Sequence, residues 1–139
     1  RNKAAEKACR IMGCDSVTIK NLPDNRLDRI ERLDIIKIIE SFIRDHQPTT
    51  LFTHHFGDVN IDHRITHDSV IAASRPQPNF PVKEILFFEV PSSTEWRPSG
   101  SLETFIPNMF VDISQTLSVK IDAINAYASE LRFFPHPRS

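Results

Sequence analysis

Residues 53–68 read THHFGDVNIDHRITHD and hold four of the chain's six histidines together with Asp58, Asp62 and Asp68. Imidazoles and carboxylates at this density are the groups that ligate divalent cations and move protons. Asn60 fits the N-cap of a helix predicted over 61–73, which places Asp62 and His63 in its first turn. A histidine on so rigid an element, with carboxylates close enough to fix its tautomer, has the support that metal-bound imidazoles need. His67 follows one turn later on the same face. The combination suits a zinc ligand beside an open coordination position. Capping chemistry and surface histidines would also account for these residues, and His67 by itself reads as a helix-surface or supporting residue. No HExxH-like motif is present, so any further ligands have to come from elsewhere.

The elements that would position this cluster alternate along the chain. NKAAEKACRIMG predicts a helix closed by Gly13 at the C′ position. SVTIK predicts a short strand. A polar turn, NLPDNRLD, leads to a helix over about 27–45, with Leu27, Ile30, Leu33, Ile36, Ile39 and Phe42/Ile43 as its core face and no function assigned to it. TTLFTHH predicts a strand, and GDVN a loop before the helix at 61–73, which RPQPNFP ends. VKEILFFEVP is the strongest strand pattern. SSTEWRPSGS forms a polar loop, FIPNMFVDIS a short strand, and residues from about 114 to 130 a last helix. Helix–strand alternation predicts an α/β fold with a largely parallel sheet, in which sites gather at the carboxyl ends of strands. The cluster follows the strand around Leu51, where a site is expected.

Bulk properties narrow the class. At 139 residues the chain has the length of one domain, and 40% hydrophobic and 25% charged residues are ordinary for a globular protein. A net charge of −1 carries no electrostatic footprint for nucleic acid. No apolar run approaches the roughly 20 residues that span a bilayer. Cys9 and Cys14 fit neither a CxxC pair nor a disulfide framework, which favours free thiols in a reducing, cytoplasmic compartment. The start at Arg1 and the ending FFPHPRS suggest a segment of a longer protein.

Several stretches resemble one family. THHFGDVNIDHR looks like the second signature of the LmbE / PIG-L zinc-dependent de-N-acetylases, whose second motif ends in Asp-His. The helix running from Arg1 to Gly13 is similar to the one after that family's second strand, and NLPDNRLD resembles its Asp-bearing turn. FFEVPSSTEW and KIDAINAYASELRFFPHPRS are similar to segments of its sugar-modifying bacterial branch. Together these span nearly the whole chain in the family's order, and the set is more specific than any member.

The resemblance implies a Rossmann-like three-layer fold, with residues 1–139 as one deacetylase domain truncated at the N-terminus and at the C-terminus. It implies a hydrolase that removes an N-acetyl group from an N-acetylglucosamine-type conjugate by metal-activated water. The family's first motif, His-Pro-Asp-Asp, supplies two zinc ligands and a general base and is absent here, so these are expected upstream of Arg1. These residues alone are then expected to be inactive. His63 matches the third zinc ligand, and Asp62 a carboxylate orienting a histidine of the site or the ligand itself. Where a common family pattern reads His-Pro-Asp-His, this chain has Asn60 in place of the first histidine. The oxyanion donor is then Asn60 or another histidine, with His136 as the candidate and His54 and His55 as further options. Asp24 and Arg26 could contact sugar hydroxyls or buttress the site, Arg1 could bind a hydroxyl or phosphate, and Trp96 could stack on a sugar ring. A small amino-sugar substrate is the expected partner, with homo-oligomers a family precedent. The competing expectation is a non-catalytic carbohydrate or nucleotide-sugar binding module of the same fold.

Overall fold

The computed structural model describes residues 2–100 and 103–136. Its elements in chain order are α1 (Asn2–Met12), α2 (Arg32–His46), β1 (Thr50–His54), α3 (Ile61–Ala73), β2 (Glu84–Phe88) and α4 (Leu117–Asn125), with short 3-10 turns at Leu27–Arg29, Thr94–Trp96 and Ala128–Glu130. They fall into two compact units, one formed by residues 1–21 and 107–139, the other by residues 22–106.

In the first unit α1 packs on α4, burying Ala8, Cys9 and Ala123. Gly13 ends α1 as expected. At φ 71° it occupies the left-handed region, Gly13 N–H donates to the Arg10 carbonyl (3.2 Å), and Cys14 N–H donates to the Cys9 carbonyl (2.9 Å). Those two bonds satisfy carbonyls that the helix end leaves open. Both thiols are free. The expected strands at SVTIK and FIPNMFVDIS do not form: both segments lack regular structure. β-branched composition favours a strand only where a partner completes the ladder, and among the described residues the one sheet is the β1–β2 pair, which neither segment joins. The last helix is also shorter than expected, ending at Asn125 before a 3-10 turn.

The second unit is a β-α-β arrangement. β1 and β2 pair in parallel, Thr50 opposite Glu84 through His54 opposite Phe88. α3 connects them and packs on β1, and α2 packs on α3. The helix expected over 27–45 is broken, because Ile30 and Glu31 have extended ψ values of 137° and 118° between the 3-10 turn and α2. An outside partner explains the break: Leu27 N–H donates to Asp62 Oδ1 (2.9 Å), which fixes the turn against α3 instead of extending it into α2. The expected apolar face shifts accordingly. Leu27, Ile35 and Ile43 are buried, whereas Leu33 is 57% exposed. α3 occupies the predicted residues, and the parallel pair makes this an α/β unit.

Candidate functional site

The carboxyl ends of β1 and β2 carry the loops that build the site, 55–60 and 89–97. α3 begins where the sequence predicts it to. Asn60 Oδ1 accepts from Asp62 N–H (2.8 Å) and His63 N–H (3.4 Å), satisfying amides that the first turn leaves without partners. Asn60 is thus spent, through its oxygen, on the cap. Its own N–H donates to Asp58 Oδ1 (2.8 Å), so the loop folds back on a carboxylate two residues upstream.

Asp58 is the centre of this network. It is fully buried. Its Oδ2 faces His63 Nδ1 at 3.0 Å and accepts from Thr94 Oγ1 at 2.8 Å and Ser93 Oγ at 3.0 Å. Burial, the largest single influence, pushes the carboxyl upward, but the hydrogen bonds from His63, Asn60, Thr94 and Ser93 outweigh it and hold Asp58 below the usual carboxylate range. An ionised carboxylate can only accept. His63 Nδ1 is therefore the donor of this bond, which in an uncharged ring would leave the lone pair on Nε2. With 21% of its side chain exposed, His63 is neither sealed in the interior nor loose in solvent.

Of the other histidines, His54 packs directly on this ring. His54, the last residue of β1, stacks on His63 with centroids 3.9 Å apart and planes 1° from parallel. Burial, reinforced by the neighbouring His63 and His67 against the opposing pull of Asp58, lowers the His54 pKa to about 4, so the ring stays neutral. His67 is buried rather than on the helix surface, and its Nδ1–H donates to the His54 carbonyl (2.9 Å), tying α3 to the end of β1. His55 donates from Nε2 to the Glu103 carbonyl (2.7 Å). Gly57 lies so close to Glu103 that a Cβ there would collide with the same carbonyl. Arg97 closes the loop, donating from Nε to the Gly57 carbonyl (2.7 Å) and pairing with Glu103 (3.2 Å), while Arg64 donates to the Asp58 carbonyl (3.1 Å).

The residues singled out in the sequence are only partly brought together. His63 and Asn60 are in the network. Asp62 points to the opposite side of the turn, where its carboxylate accepts Asn25 N–H (2.5 Å) and Leu27 N–H (2.9 Å), so the carboxylate on the His63 ring is that of Asp58. Through those bonds Asp62 holds the turn bearing Asp24 and Arg26, both exposed, against the first turn of α3. Trp96 is 64% exposed at the end of the Thr94–Trp96 turn, two residues beyond Thr94. His136 belongs to the first unit, on a turn closed by its N–H to the Phe133 carbonyl (3.1 Å), and Arg1 lies outside the described residues. Asp58, Ser93 and Thr94 were not assigned these roles from sequence. An Asp five residues before a histidine follows no helical or strand period, and the Ser-Thr pair lies about thirty residues further along the chain.

An Asp–His pair stands beyond the carboxyl end of a parallel strand, with a buried carboxylate against Nδ1 of the ring. Residues 1–74, just over half of the 139, match the PIG-L family, described as GlcNAc-PI de-N-acetylase. The chain belongs to this family. PIG-L proteins are GlcNAc-type de-N-acetylases, hydrolases acting on small-molecule sugar conjugates, and the matched stretch includes the whole loop from His54 to His63 and all of α3. Among the described residues no group of three His, Cys, Asp or Glu side chains could hold a metal, and no helix is long and apolar enough to cross a membrane.

Proposed function

We propose that this chain is the His63-bearing portion of a zinc-dependent hydrolase that removes an N-acetyl group from an N-acetylglucosamine-type conjugate. The Asp58–His63 pair carries this reading: a buried carboxylate engages Nδ1 and leaves Nε2 as the ring's donor atom for a metal. That donor fits zinc as one ligand. The remaining ligands and the general base are the His and Asp residues of the family's His-Pro-Asp-Asp motif, supplied upstream of Arg1. Zinc, when bound, lowers the pKa of its water toward ~7 and polarises the acetyl carbonyl.

The chain's own residues hold and orient. Asp58 keeps the His63 proton on Nδ1, and His54 fixes the ring plane by stacking. Asn60 keeps its amide Nδ2 as a donor for the developing oxyanion while its oxygen caps α3. Asp62 acts indirectly, positioning the turn that offers Asp24 and Arg26 to sugar hydroxyls. Trp96 offers an exposed ring for stacking on a pyranose face. Parallel sheets are ordinarily covered on both faces, and the exposure of Phe52 and Phe87 supports a larger Rossmann-like, three-layer domain around β1 and β2.

The test uses the chain extended upstream through the His-Pro-Asp-Asp segment, measuring bound zinc and acetate release from an acetamido sugar. His63→Ala is expected to lose both. Full activity and full zinc content in that variant would overturn the ligand assignment, and sugar binding without zinc or acetate release would favour a carbohydrate-binding module.

A further inference from the structure

We infer that Cys9 and Cys14 form a reversible dithiol–disulfide site at the end of α1, open to hydroperoxides and to low-molecular-weight disulfides. Their spacing matches no CxxC pair, and the turn that ends α1 supplies the juxtaposition instead. Gly13, at φ 71°, folds the chain back so that Cys14 N–H donates to the Cys9 carbonyl (2.9 Å), while Gly13 N–H donates to the Arg10 carbonyl (3.2 Å). These are the two bonds of a Schellman turn, which brings the side chains of the residues sharing its longer bond into contact. In this chain those two residues are the two cysteines. Cys9 Sγ lies 3.5 Å from the Cys14 carbonyl oxygen, and both side chains line one cavity of about 620 Å³, together with Met12, Val17 and Ala123. A close-packed interior would hold each sulfur in its rotamer. The cavity leaves both room to swing into bonding position.

The two thiols differ in access: Cys14 is exposed and Cys9 is buried. Burial, the hydrogen bond to Cys14 and the Cys14 charge push the Cys9 thiol up, so Cys14 is the sulfur that meets the oxidant. With hydrogen peroxide, the Cys14 thiolate attacks one peroxide oxygen, the O–O bond breaks, and the departing hydroxide takes up a proton as water. The Cys9 sulfur then attacks Sγ of the Cys14 sulfenic acid. An S–S bond forms, the S–O bond breaks, and a second water leaves with the Cys9 proton. The pair loses two electrons and two protons, and the peroxide gains both. With glutathione disulfide, Cys14 displaces one glutathione thiolate and Cys9 displaces the other. None of these steps involves the metal or the sugar.

The experiment equilibrates the full chain with mixtures of reduced and oxidised glutathione, once folded and once in urea, then alkylates the remaining thiols and digests with trypsin. The chain has two cysteines with Arg10 between them, so the disulfide joins peptides 8–10 and 11–20 and is read directly by mass. The folded chain is expected to form it with an equilibrium constant at least ~10-fold above that in urea, because the turn has already closed the loop that an unfolded chain must close. Hydrogen peroxide is expected to give the same linked peptides, and Cys14→Ser to leave Cys9 reduced under the same exposure. A folded constant equal to or below the unfolded one would overturn the inference. So would peroxide products confined to Cys14 in the native chain, as a sulfinic acid or as a chain-to-chain disulfide.

Discussion

Asp58→Asn changes one atom and is expected to release the metal while leaving the fold in place. In the native network Oδ1 accepts one N–H, from Asn60, and Oδ2 faces three donors, His63 Nδ1, Ser93 Oγ and Thr94 Oγ1. An asparagine has one acceptor and one donor end, so it can match only one side. With its NH₂ toward Asn60 two donors collide, and backbone cannot turn away. With its NH₂ toward the other side, the hydroxyls rotate to accept, Thr94 by its remaining lone pair, and His63 must present a bare Nδ1. The ring proton then moves to Nε2, where it blocks coordination. Because bonds are reversed more than lost, destabilisation should stay near ~1–3 kcal/mol, the range for one imperfect buried hydrogen bond. Zinc affinity should fall at least ~10–100-fold, as when the orienting partner of a metal-bound histidine is removed. Asp58→Ala strips all four bonds and should cost about 3–5 kcal/mol by leaving buried partners uncompensated. Competition with a chromogenic chelator in the extended chain, alongside urea unfolding, separates the two effects. Native zinc affinity in a folded Asp58→Asn protein would refute the tautomer argument.

Three further outcomes follow from the same geometry. Gly57→Ala drives a Cβ into the Glu103 carbonyl that also accepts from His55; a loss of about 1–3 kcal/mol from overpacking is expected in urea unfolding, and an unchanged midpoint would contradict the close approach. Asp62→Ala removes the acceptor for Asn25 and Leu27 N–H, so amide exchange at these residues should speed up and KM should rise more than kcat falls; unchanged exchange would show that Asp62 does not hold the turn. His54 has its folded pKa lowered from 6.5 to about 4 by burial and by its histidine neighbours. Folding thus excludes a proton that the unfolded chain accepts, so this contribution to stability is complete above ~6.5 and is lost as pH falls toward 4. The Tm of the metal-free protein should decline across that window, and less steeply in His54→Phe.

What the sequence made legible was local. Asn60 as N-cap, α3 over 61–73, Gly13 as the left-handed stop and the two strands of the parallel pair each depend on a handful of neighbouring residues, and each stands where the pattern puts it. The failures are places where a distant group decides. SVTIK has strand composition and no ladder partner among the described residues. The helix expected from Leu27 is interrupted because a carboxylate 35 residues away takes the Leu27 N–H. Within the candidate site, the place of His63 in the first turn of α3 was legible, but its hydrogen-bond partner was not, since Asp58 and Asp62 both flank it in sequence and the choice depends on which side of the cap each one faces.

That choice explains why the two carboxylates are not interchangeable. Asn60 sits between them and bonds to both neighbourhoods: its N–H reaches back to Asp58, and its side-chain oxygen reaches forward to Asp62 N–H and His63 N–H. The cap therefore turns the chain so that the carboxylate before it faces inward, under the His63 ring, and the one after it faces the 25–27 backbone. Burial sharpens the division. Asp58 has no solvent to satisfy it and depends on Asn60, His63, Ser93 and Thr94, which makes it a rigid reference for the imidazole. Asp62 is half-buried and binds two backbone amides of an exposed turn, a contact suited to holding a substrate-facing loop and too far round the helix to orient a ring. One capping residue thus separates two jobs that a reading of the Asp-His dipeptide alone assigns to a single side chain.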